Sequence, residues 1–260
     1  MRVDATSYGH AAREILRWAR NGESRYVCVA TVNNVIEAYD DPAYGAVMEA
    51  ADLVTPDGMP LVWGLRLLGV GTATRVYGPD LTPLVCQLAA YHGVPIGLYG
   101  GSQDVLEALT ARLGQRFPGL KLAYRASPPF RPLTADEERR TLEDLERSGA
   151  RILFVGLGTP KQERWMAAHR PEVKAVMLGV GAAFDFLAAE NGRHPGCCSG
   201  SASNGSTALC TSPAGCGGDT CTVIRASSFS SPHSSCGERR FRIGRTAGQV
   251  DSWTGRQLDR

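Results

Sequence analysis

The clearest structural pattern in the chain is found in Arg151-Ile-Leu-Phe-Val-Gly-Leu-Gly-Thr-Pro-Lys-Gln-Glu-Arg-Trp-Met-Ala-Ala168. Its first six residues form a short apolar run, which is typical of a buried strand, and residues 161–168 have the composition of a helix. A glycine-rich turn joins them, and Pro160 lies close to the first helical position, which proline favours. The stretch therefore predicts a strand, a tight turn and a helix, the unit from which parallel sheets are built.

The same alternation of apolar runs and amphipathic segments extends over residues 1–187. Strands are predicted at residues 26–31, 95–99, 120–124, 151–156 and 175–180, and helices at residues 11–20, 43–51, 59–68, 81–92, 104–117, 135–148 and 161–168. This order predicts an α/β class with a Rossmann-like, doubly wound and mainly parallel sheet that has helices on both faces. In such a domain, ligands bind at the carboxyl ends of the strands.

Charge and hydropathy exclude two classes of protein. The 260 residues carry 28 basic and 26 acidic side chains, a net charge of +2, so bulk charge does not indicate a nucleic-acid-binding protein. The longest apolar runs are too short to cross a bilayer, and the first residues lack the apolar core of a signal peptide. We therefore expect a cytoplasmic protein that is soluble or peripheral to the membrane.

Glycines follow three of the predicted strands, at Gly100-Gly101, at Gly156 and Gly158 before Lys161, and at Gly179 and Gly181. Such turns let the backbone approach a ligand, and the helix that follows offers free N–H groups to a phosphate. Tight packing produces the same pattern, but three such turns favour a nucleotide or sugar-phosphate ligand. No turn completes a dinucleotide fingerprint or a Walker loop, which disfavours an oxidoreductase or an epimerase.

Two charged residues are candidates for chemistry from their position alone. Asp57 lies in Thr-Pro-Asp-Gly directly before an apolar helix, where it can act as a general base or simply stabilise the turn and cap that helix. Arg75 is a candidate phosphate clamp or a solvated surface charge. There is no Asp-x-Asp pair and no histidine spacing suited to a metal, so neither a metal nor a cofactor is predicted.

The motifs together resemble one known family, the WecG/TagA/CpsF glycosyltransferases, over about residues 20–187. The matching segments are Ala51-Asp-Leu-Val-Thr-Pro-Asp-Gly-Met-Pro, Arg75-Val-Tyr-Gly-Pro-Asp-Leu, Leu98-Tyr-Gly-Gly, Ser127-Pro-Pro-Phe, Gly156-Leu-Gly-Thr-Pro-Lys-Gln-Glu-Arg-Trp-Met and Gly179-Val-Gly-Ala-Ala-Phe-Asp-Phe. The resemblance implies inverting transfer of an N-acetylmannosamine-type or related hexose from a UDP-sugar to an undecaprenyl-diphosphate-linked sugar. It also implies a protein peripheral to the inner face of the cell membrane, with homo-oligomers as one option, in cell-surface polysaccharide or teichoic acid synthesis. For this chain we expect only weak binding to the membrane, because its tail is poor in leucine.

The resemblance also implies roles for individual residues. Asp57 corresponds to the aspartate taken as general base, Arg75 to an arginine near the diphosphate, and Gln162 to a glutamine in the active site. The candidate set is Asp57 and Gln162 as catalytic, Thr31, Asn33, Arg75 and Asp80 as substrate-binding, and Gly100, Gly101, Gly156, Gly158, Lys161, Gly181 and Asp185 as nucleotide-binding residues.

Residues 188–260 differ from the rest of the chain, since they hold six of its eight cysteines, two leucines and no lysine. The family continues at this point with a basic, Leu- and Trp-rich appendage. If each codon in this region is read from its third base, the shifted reading frame permits the sequence Leu-Gly-Leu-Glu-Trp-Leu-Tyr-Arg, which is close to that appendage. We therefore predict that a frameshift has produced a disordered tail. The alternatives are a divergent tail and a disulfide or zinc module, and the module is disfavoured because the cysteines form no CxxC pair. Loss of the appendage leaves open an alternative function, a sugar-nucleotide-binding protein with little or no turnover.

Overall fold

The computed structural model describes residues 1–189, which contain one six-stranded sheet with every strand pair parallel. The strands are β1 (Arg25–Ala30), β2 (Leu53–Pro56), β3 (Ile96–Gly100), β4 (Leu122–Ala126), β5 (Ile152–Gly156) and β6 (Val176–Gly179), in the spatial order β2-β1-β6-β5-β3-β4. The predicted α/β class and parallel sheet are confirmed. The predicted disorder of the tail concerns residues outside the described part of the chain, apart from Ala188 and Ala189.

Helices cover both faces of the sheet, as predicted. They are α1 (Tyr8–Asn21), α2 (Val32–Asp40), α3 (Pro42–Glu49), α4 (Met59–Leu67), α5 (Gly78–His92), α6 (Gln103–Arg116), α7 (Ala135–Ser148), α8 (Lys161–His169) and α9 (Ala183–Ala188). One apolar core joins the sheet to α1, α5, α6 and α9, and a second joins its other face to α3, α7 and α8. The side chains of β1 alternate between them: Val27 and Val29 face the first core, and Tyr26 and Cys28 the second.

Three elements were not predicted. Strand β2 is only four residues long and ends in Pro56, so its amino-acid sequence resembles that of a loop. Helix α2 has two asparagines, which are weak helix formers, in its first turn, and it is started by a capping box formed by Thr31 and Asn34. Helix α9 has only six residues. The predicted helices and remaining strands are confirmed, with ends that coincide or are displaced by up to three residues.

Candidate active site

The carboxyl ends of β2, β1 and β6 lie side by side at one edge of the sheet, because the three strands are parallel neighbours. The backbone N–H of Asp57 donates to the carbonyl of Ala30 at 2.8 Å, so the ends of β2 and β1 are joined directly. Gly78 lies beside both Asp57 Oδ2 and the Val180 carbonyl, since a Cβ built on it would be 3.9 and 3.7 Å from these atoms. The ends of all three strands thus form one surface around Gly78.

Asp57 is a largely buried carboxylate, with 9% of its surface exposed. Its Oδ2 accepts a long hydrogen bond of 3.5 Å from the Gly78 N–H, and its Oδ1 lies 3.3 Å from Nη2 of Arg75. Burial raises the pKa of Asp57, against the opposing effects of the Gly78 N–H and the Arg75 charge. Helix α4 is capped by Gly58 without a side-chain hydrogen bond, so Asp57 does not cap this helix.

Arg75 is fixed at this carboxylate instead of extending freely into solvent. Its Nε donates to the backbone carbonyl of Asp57 at 2.5 Å, and its guanidinium carbon lies 4.1 Å from the centre of the Tyr77 ring. These two contacts orient a partly exposed guanidinium beside Asp57. A cation held in this way is suited to bind a phosphate.

Asp80 lies in the first turn of α5 and contacts Tyr8 of α1. The hydroxyl of Tyr8 donates to Asp80 Oδ2 at 3.1 Å and accepts from the backbone N–H of Tyr77 at 3.0 Å. Tyr8, which sequence reasoning missed, therefore holds the segment that contains Arg75 and Gly78. The substrate-binding role of Asp80 stays a prediction.

Thr31 and Asn33 both lie at the start of α2, but the buried amide of this region is Asn34. The Asn34 Oδ1 accepts from the N–H and the hydroxyl of Thr31 at 2.9 and 3.0 Å, and its Nδ2 donates to the Tyr44 hydroxyl at 2.7 Å. Asn33 is exposed in the first turn of the helix. Sequence reasoning missed Asn34 because its other partners, Tyr44, Thr159 and Glu163, lie 10 to 129 residues away in the chain.

Gln162 is buried against β6, where a Cβ on Gly179 would lie 3.2 Å from its Nε2. Its Nε2 donates to Oε1 of the next residue, Glu163, at 2.8 Å, and its Oε1 is buried without a partner among the described residues. An amide oxygen left in this state is available to accept a hydrogen bond from a bound molecule.

Glu163 is fully buried and was not predicted as a site residue. Its Oε1 also accepts from the Thr159 hydroxyl at 3.2 Å and from Asn34 Nδ2 at 3.4 Å, whereas its Oε2 has no partner in the described residues. Burial raises the pKa of Glu163, although the hydrogen bonds from Gln162 and Thr159 oppose the effect. We name Gln162, Glu163, Asn34, Thr159 and Tyr44 the polar cluster.

The glycines at the ends of β3 and β5 have a clear packing role. A Cβ on Gly100, which has φ +117°, would lie 2.4 Å from the carbonyl oxygen of Gly156, and a Cβ on Gly156 would lie 2.7 Å from Cδ2 of Phe184. A Cβ on Gly101 would lie 3.4 Å from the same ring, an ordinary contact distance, but Gly101 has φ +69°. Close packing thus accounts for Gly100 and Gly156 and the backbone conformation for Gly101, and the nucleotide-binding role of all three stays a prediction.

The other predicted nucleotide-binding residues are spread along the same edge. Gly158 has φ +76° and open space around its Cα, and Lys161 is exposed at the first position of α8. Gly181 lies against Gln162, and Asp185 is in the first turn of α9. The structure therefore gathers Asp57, Arg75, Gln162 and Gly181 around the ends of β2, β1 and β6, with Gly158 and Lys161 beyond β5.

Comparison with known proteins identifies the class to which this fold and site belong. The chain belongs to the glycosyl transferase WecG/TagA/CpsF family, whose profile matches residues 1–204. That match extends past residue 187, where we placed the domain boundary. The family resemblance of the sequence is confirmed.

Curated relatives have the name N-acetylglucosaminyldiphosphoundecaprenol N-acetyl-beta-D-mannosaminyltransferase. A protein of Bacillus spizizenii is 28% identical over 170 residues, which cover 64% of this chain and 64% of the relative. A protein of Staphylococcus aureus (strain NCTC 8325 / PS 47) is 26% identical over 195 residues, or 74% of this chain and 75% of the relative. The matched region thus spans just under two thirds of the length of the Bacillus protein. Among residues 1–189, no helix is long and apolar enough to cross a membrane.

Proposed function

We propose that this protein is an inverting glycosyltransferase that moves an N-acetylmannosamine-type or related hexose from a UDP-sugar to an undecaprenyl-diphosphate-linked sugar. The observation that carries the proposal is Asp57, a buried carboxylate with a raised pKa and two long contacts, at the carboxyl edge of the sheet beside Arg75. The names of the relatives support both the sugar and the lipid-linked acceptor.

In the proposed reaction, Asp57 accepts the proton of the acceptor hydroxyl as its oxygen attacks the anomeric carbon of the donor. A carbon–oxygen bond to the acceptor forms while the bond from the anomeric carbon to the diphosphate breaks, and attack opposite the leaving group inverts the configuration. UDP leaves with the electron pair. The raised pKa makes Asp57 a better base than an exposed aspartate, because proton transfer becomes more favourable as the pKa of the base increases.

Arg75 stabilises the negative charge that develops on the departing diphosphate. Its guanidinium is already held by the Asp57 carbonyl and by the Tyr77 ring, so it loses little conformational freedom when the donor binds. The same arginine lies 3.3 Å from the Asp57 carboxylate. The positive charge of Arg75 lowers the basicity of Asp57. When the donor binds, its diphosphate partly neutralises this charge, and the carboxylate of Asp57 becomes more basic.

Gln162 acts in this scheme as a hydrogen-bond acceptor toward the substrate. Because Glu163 Oε1 accepts three hydrogen bonds and Gln162 Nε2 is one of the donors, the amide is oriented with Oε1 away from Glu163. That oxygen, lying next to Gly181, is left to accept from a hydroxyl or N–H group of the donor. Glu163 is therefore a positioning residue.

The test is a transfer assay with UDP-N-acetylmannosamine and a short-chain prenyl-diphosphate N-acetylglucosamine. Asp57→Asn should lower kcat by about 10²–10⁴ and leave UDP affinity nearly unchanged, since the amide is nearly isosteric but accepts no proton. The exposed Asp144→Asn on α7 is the matched control and should behave as the unsubstituted protein.

Two results would contradict this assignment. Turnover of Asp57→Asn close to that of the unsubstituted protein would remove Asp57 from the mechanism. UDP-sugar binding by the unsubstituted chain without transfer to any acceptor would favour the alternative function, a sugar-nucleotide-binding protein. The match covers 64% of the Bacillus relative, so transfer by this chain has to be measured and not only donor binding.

A further inference from the structure

Helix α4 presents an apolar surface that no other described element covers. Met59, Trp63 and Leu67 recur at intervals of four residues and so share one side of the helix, and Leu68 follows them at the C-cap. The side chains of Leu67 and Trp63 are 88% and 56% exposed, and Met59 and Leu68 are exposed as well. We name these four residues the α4 surface. Several large apolar side chains on one exposed helix face indicate a contact with another apolar phase.

The charged side chains of α4 and of the loop that follows it are basic. Residues 58–79 contain Arg66 and Arg75, of which Arg75 is paired with Asp57, and no aspartate, glutamate or lysine. Arg66 is exposed on the same helix, where it donates to the carbonyl of Ala73. By contrast, the exposed apolar residues of α2, Val32 and Ile36, share their helix with acidic residues. The composition around α4, with tryptophan, leucine and arginine, matches that of protein surfaces that enter the interface of an anionic bilayer.

The α4 surface is also continuous with the candidate site. Gly58 is both the residue after Asp57 and the N-cap of α4, so the first residue of the surface is two positions from the proposed base. The relatives are named for an acceptor attached to undecaprenol, a long isoprenoid alcohol that partitions into the bilayer. A base that acts on such an acceptor must reach the headgroup region, where the diphosphate lies.

We propose that the α4 surface inserts into the headgroup and upper acyl region of an anionic membrane and so brings Asp57 to the lipid-linked acceptor. This inference rests on the proposed function. Trp63, Leu67 and Leu68 enter the apolar boundary, and Arg66 faces the phosphates of the lipids. Helix α4 thus supplies a membrane contact that is independent of residues 190–260.

The first measurement is sedimentation of the full chain with vesicles of phosphatidylglycerol and phosphatidylcholine. The double variant Trp63→Ser/Leu67→Ser should bind these vesicles at least about tenfold more weakly, because each substitution removes a large apolar side chain from the interface. Tyr91→Ser is the matched control, since Tyr91 is 84% exposed but lies at the end of α5 that precedes β3, away from the carboxyl edge. It should bind as the unsubstituted chain does. Binding should weaken with added salt and with pure phosphatidylcholine.

The second measurement separates the surface from the chemistry. The double variant should transfer sugar to a water-soluble short-chain acceptor at an unchanged rate, but should lose about tenfold or more with undecaprenyl acceptor embedded in vesicles. Failure of transfer with every acceptor in the unsubstituted chain would contradict the proposed function, whereas the vesicle measurement would still report on the surface.

Three outcomes would overturn the inference. Equal vesicle binding by the double variant and the unsubstituted chain would show that α4 does not contact the bilayer. Loss of self-association in the double variant, measured by analytical ultracentrifugation, would show that a second copy of the chain covers the surface. The third outcome is that Trp63 is protected from acrylamide quenching in the absence of vesicles and that deletion of residues 190–260 removes this protection. It would show that the chain itself covers the α4 surface.

Discussion

Replacing Glu163 tests whether a single buried carboxyl group supports the polar cluster. Alanine removes the acceptor that Gln162 Nε2 and the Thr159 hydroxyl share, while Asn34 keeps its 2.7 Å contact with the Tyr44 hydroxyl. Glutamine keeps an oxygen at the position of Oε1 and replaces only Oε2, which has no hydrogen-bond partner in the described residues. The two substitutions therefore separate loss of the acceptor from loss of the charge.

The expected magnitudes follow from these contacts. A buried donor without a partner costs about 1–3 kcal/mol, and Glu163→Ala leaves two such donors. Removal of a buried carboxyl group with a raised pKa offsets part of this cost. We expect Glu163→Ala to lower the free energy of unfolding by about 3 kcal/mol, or Tm by about 6–12 °C, and Glu163→Gln to change it by less than about 1 kcal/mol.

The effect of pH has a defined sign. Because burial raises the pKa of Glu163 above the 4.5 of an exposed glutamate, the folded protein keeps this proton at a pH where the unfolded chain has lost it. The stability due to the proton is therefore fully present below about pH 4.5 and is lost as pH rises through the folded pKa. Glutamine does not titrate. Relative to Glu163→Gln, the unsubstituted protein should become less stable as pH increases from 4.5.

Urea unfolding of both variants and the unsubstituted protein at several pH values provides the measurement. Groups that titrate equally in all three proteins, such as Asp57 and Asp4, cancel in the differences. If Glu163→Ala proves as stable as Glu163→Gln, the donors of Gln162 and Thr159 do not depend on this acceptor. Parallel stability curves for Glu163→Gln and the unsubstituted protein would show that Glu163 keeps its ordinary pKa.

Three further predictions concern the site and its packing. Arg75→Ala should weaken UDP-sugar affinity as well as kcat, and unchanged affinity by titration calorimetry would make this arginine a surface charge only. Gly156→Ala should lower stability in thermal melts by about 1–3 kcal/mol, because its Cβ would lie 2.7 Å from Phe184. The control is Gly114→Ala in α6, whose Cβ would have no atom within 4 Å, and it should raise stability by about 0.5–1 kcal/mol. The kcat/KM of transfer should increase with pH through a pKa above 3.8, that of Asp57, and a profile that is flat across this range would contradict its role as base.

Much of the fold was predictable from the sequence because its signals are local. Glycine turns, apolar runs and the capping box at Thr134 located five strands and seven helices within a few residues. Strand β2 escaped detection since it is an edge strand of four residues, stabilised by pairing with β1 and not by its own pattern. The glycine-rich turn at Gly156 was open to two interpretations, nucleotide binding and tight packing. The proximity of Phe184 supports a packing role.

The candidate site was predictable only in part, for a similar reason. Asp57 and Gln162 stand in recognisable motifs, whereas Asn34 and Tyr8 derive their roles largely from partners far along the chain. Asn34 contacts Glu163 across 129 residues, and Tyr8 contacts Asp80 across 72. No periodicity or spacing in the sequence reports such pairings.

The position of β6 determines when the site can form. It is the last strand of residues 1–189, yet it lies in the middle of the sheet, between the pair β2-β1 and the trio β5-β3-β4. Until residues 176–179 join the sheet, the two groups of strands share no ladder of backbone hydrogen bonds. During synthesis, Asp57 can therefore be placed beside β1 early, but Val180 and Gly181 complete its surroundings only when almost the whole domain has left the ribosome. Nascent chains that end before β6 should accordingly hold two unjoined sheet fragments, with unpaired edges at which association with other chains competes with folding.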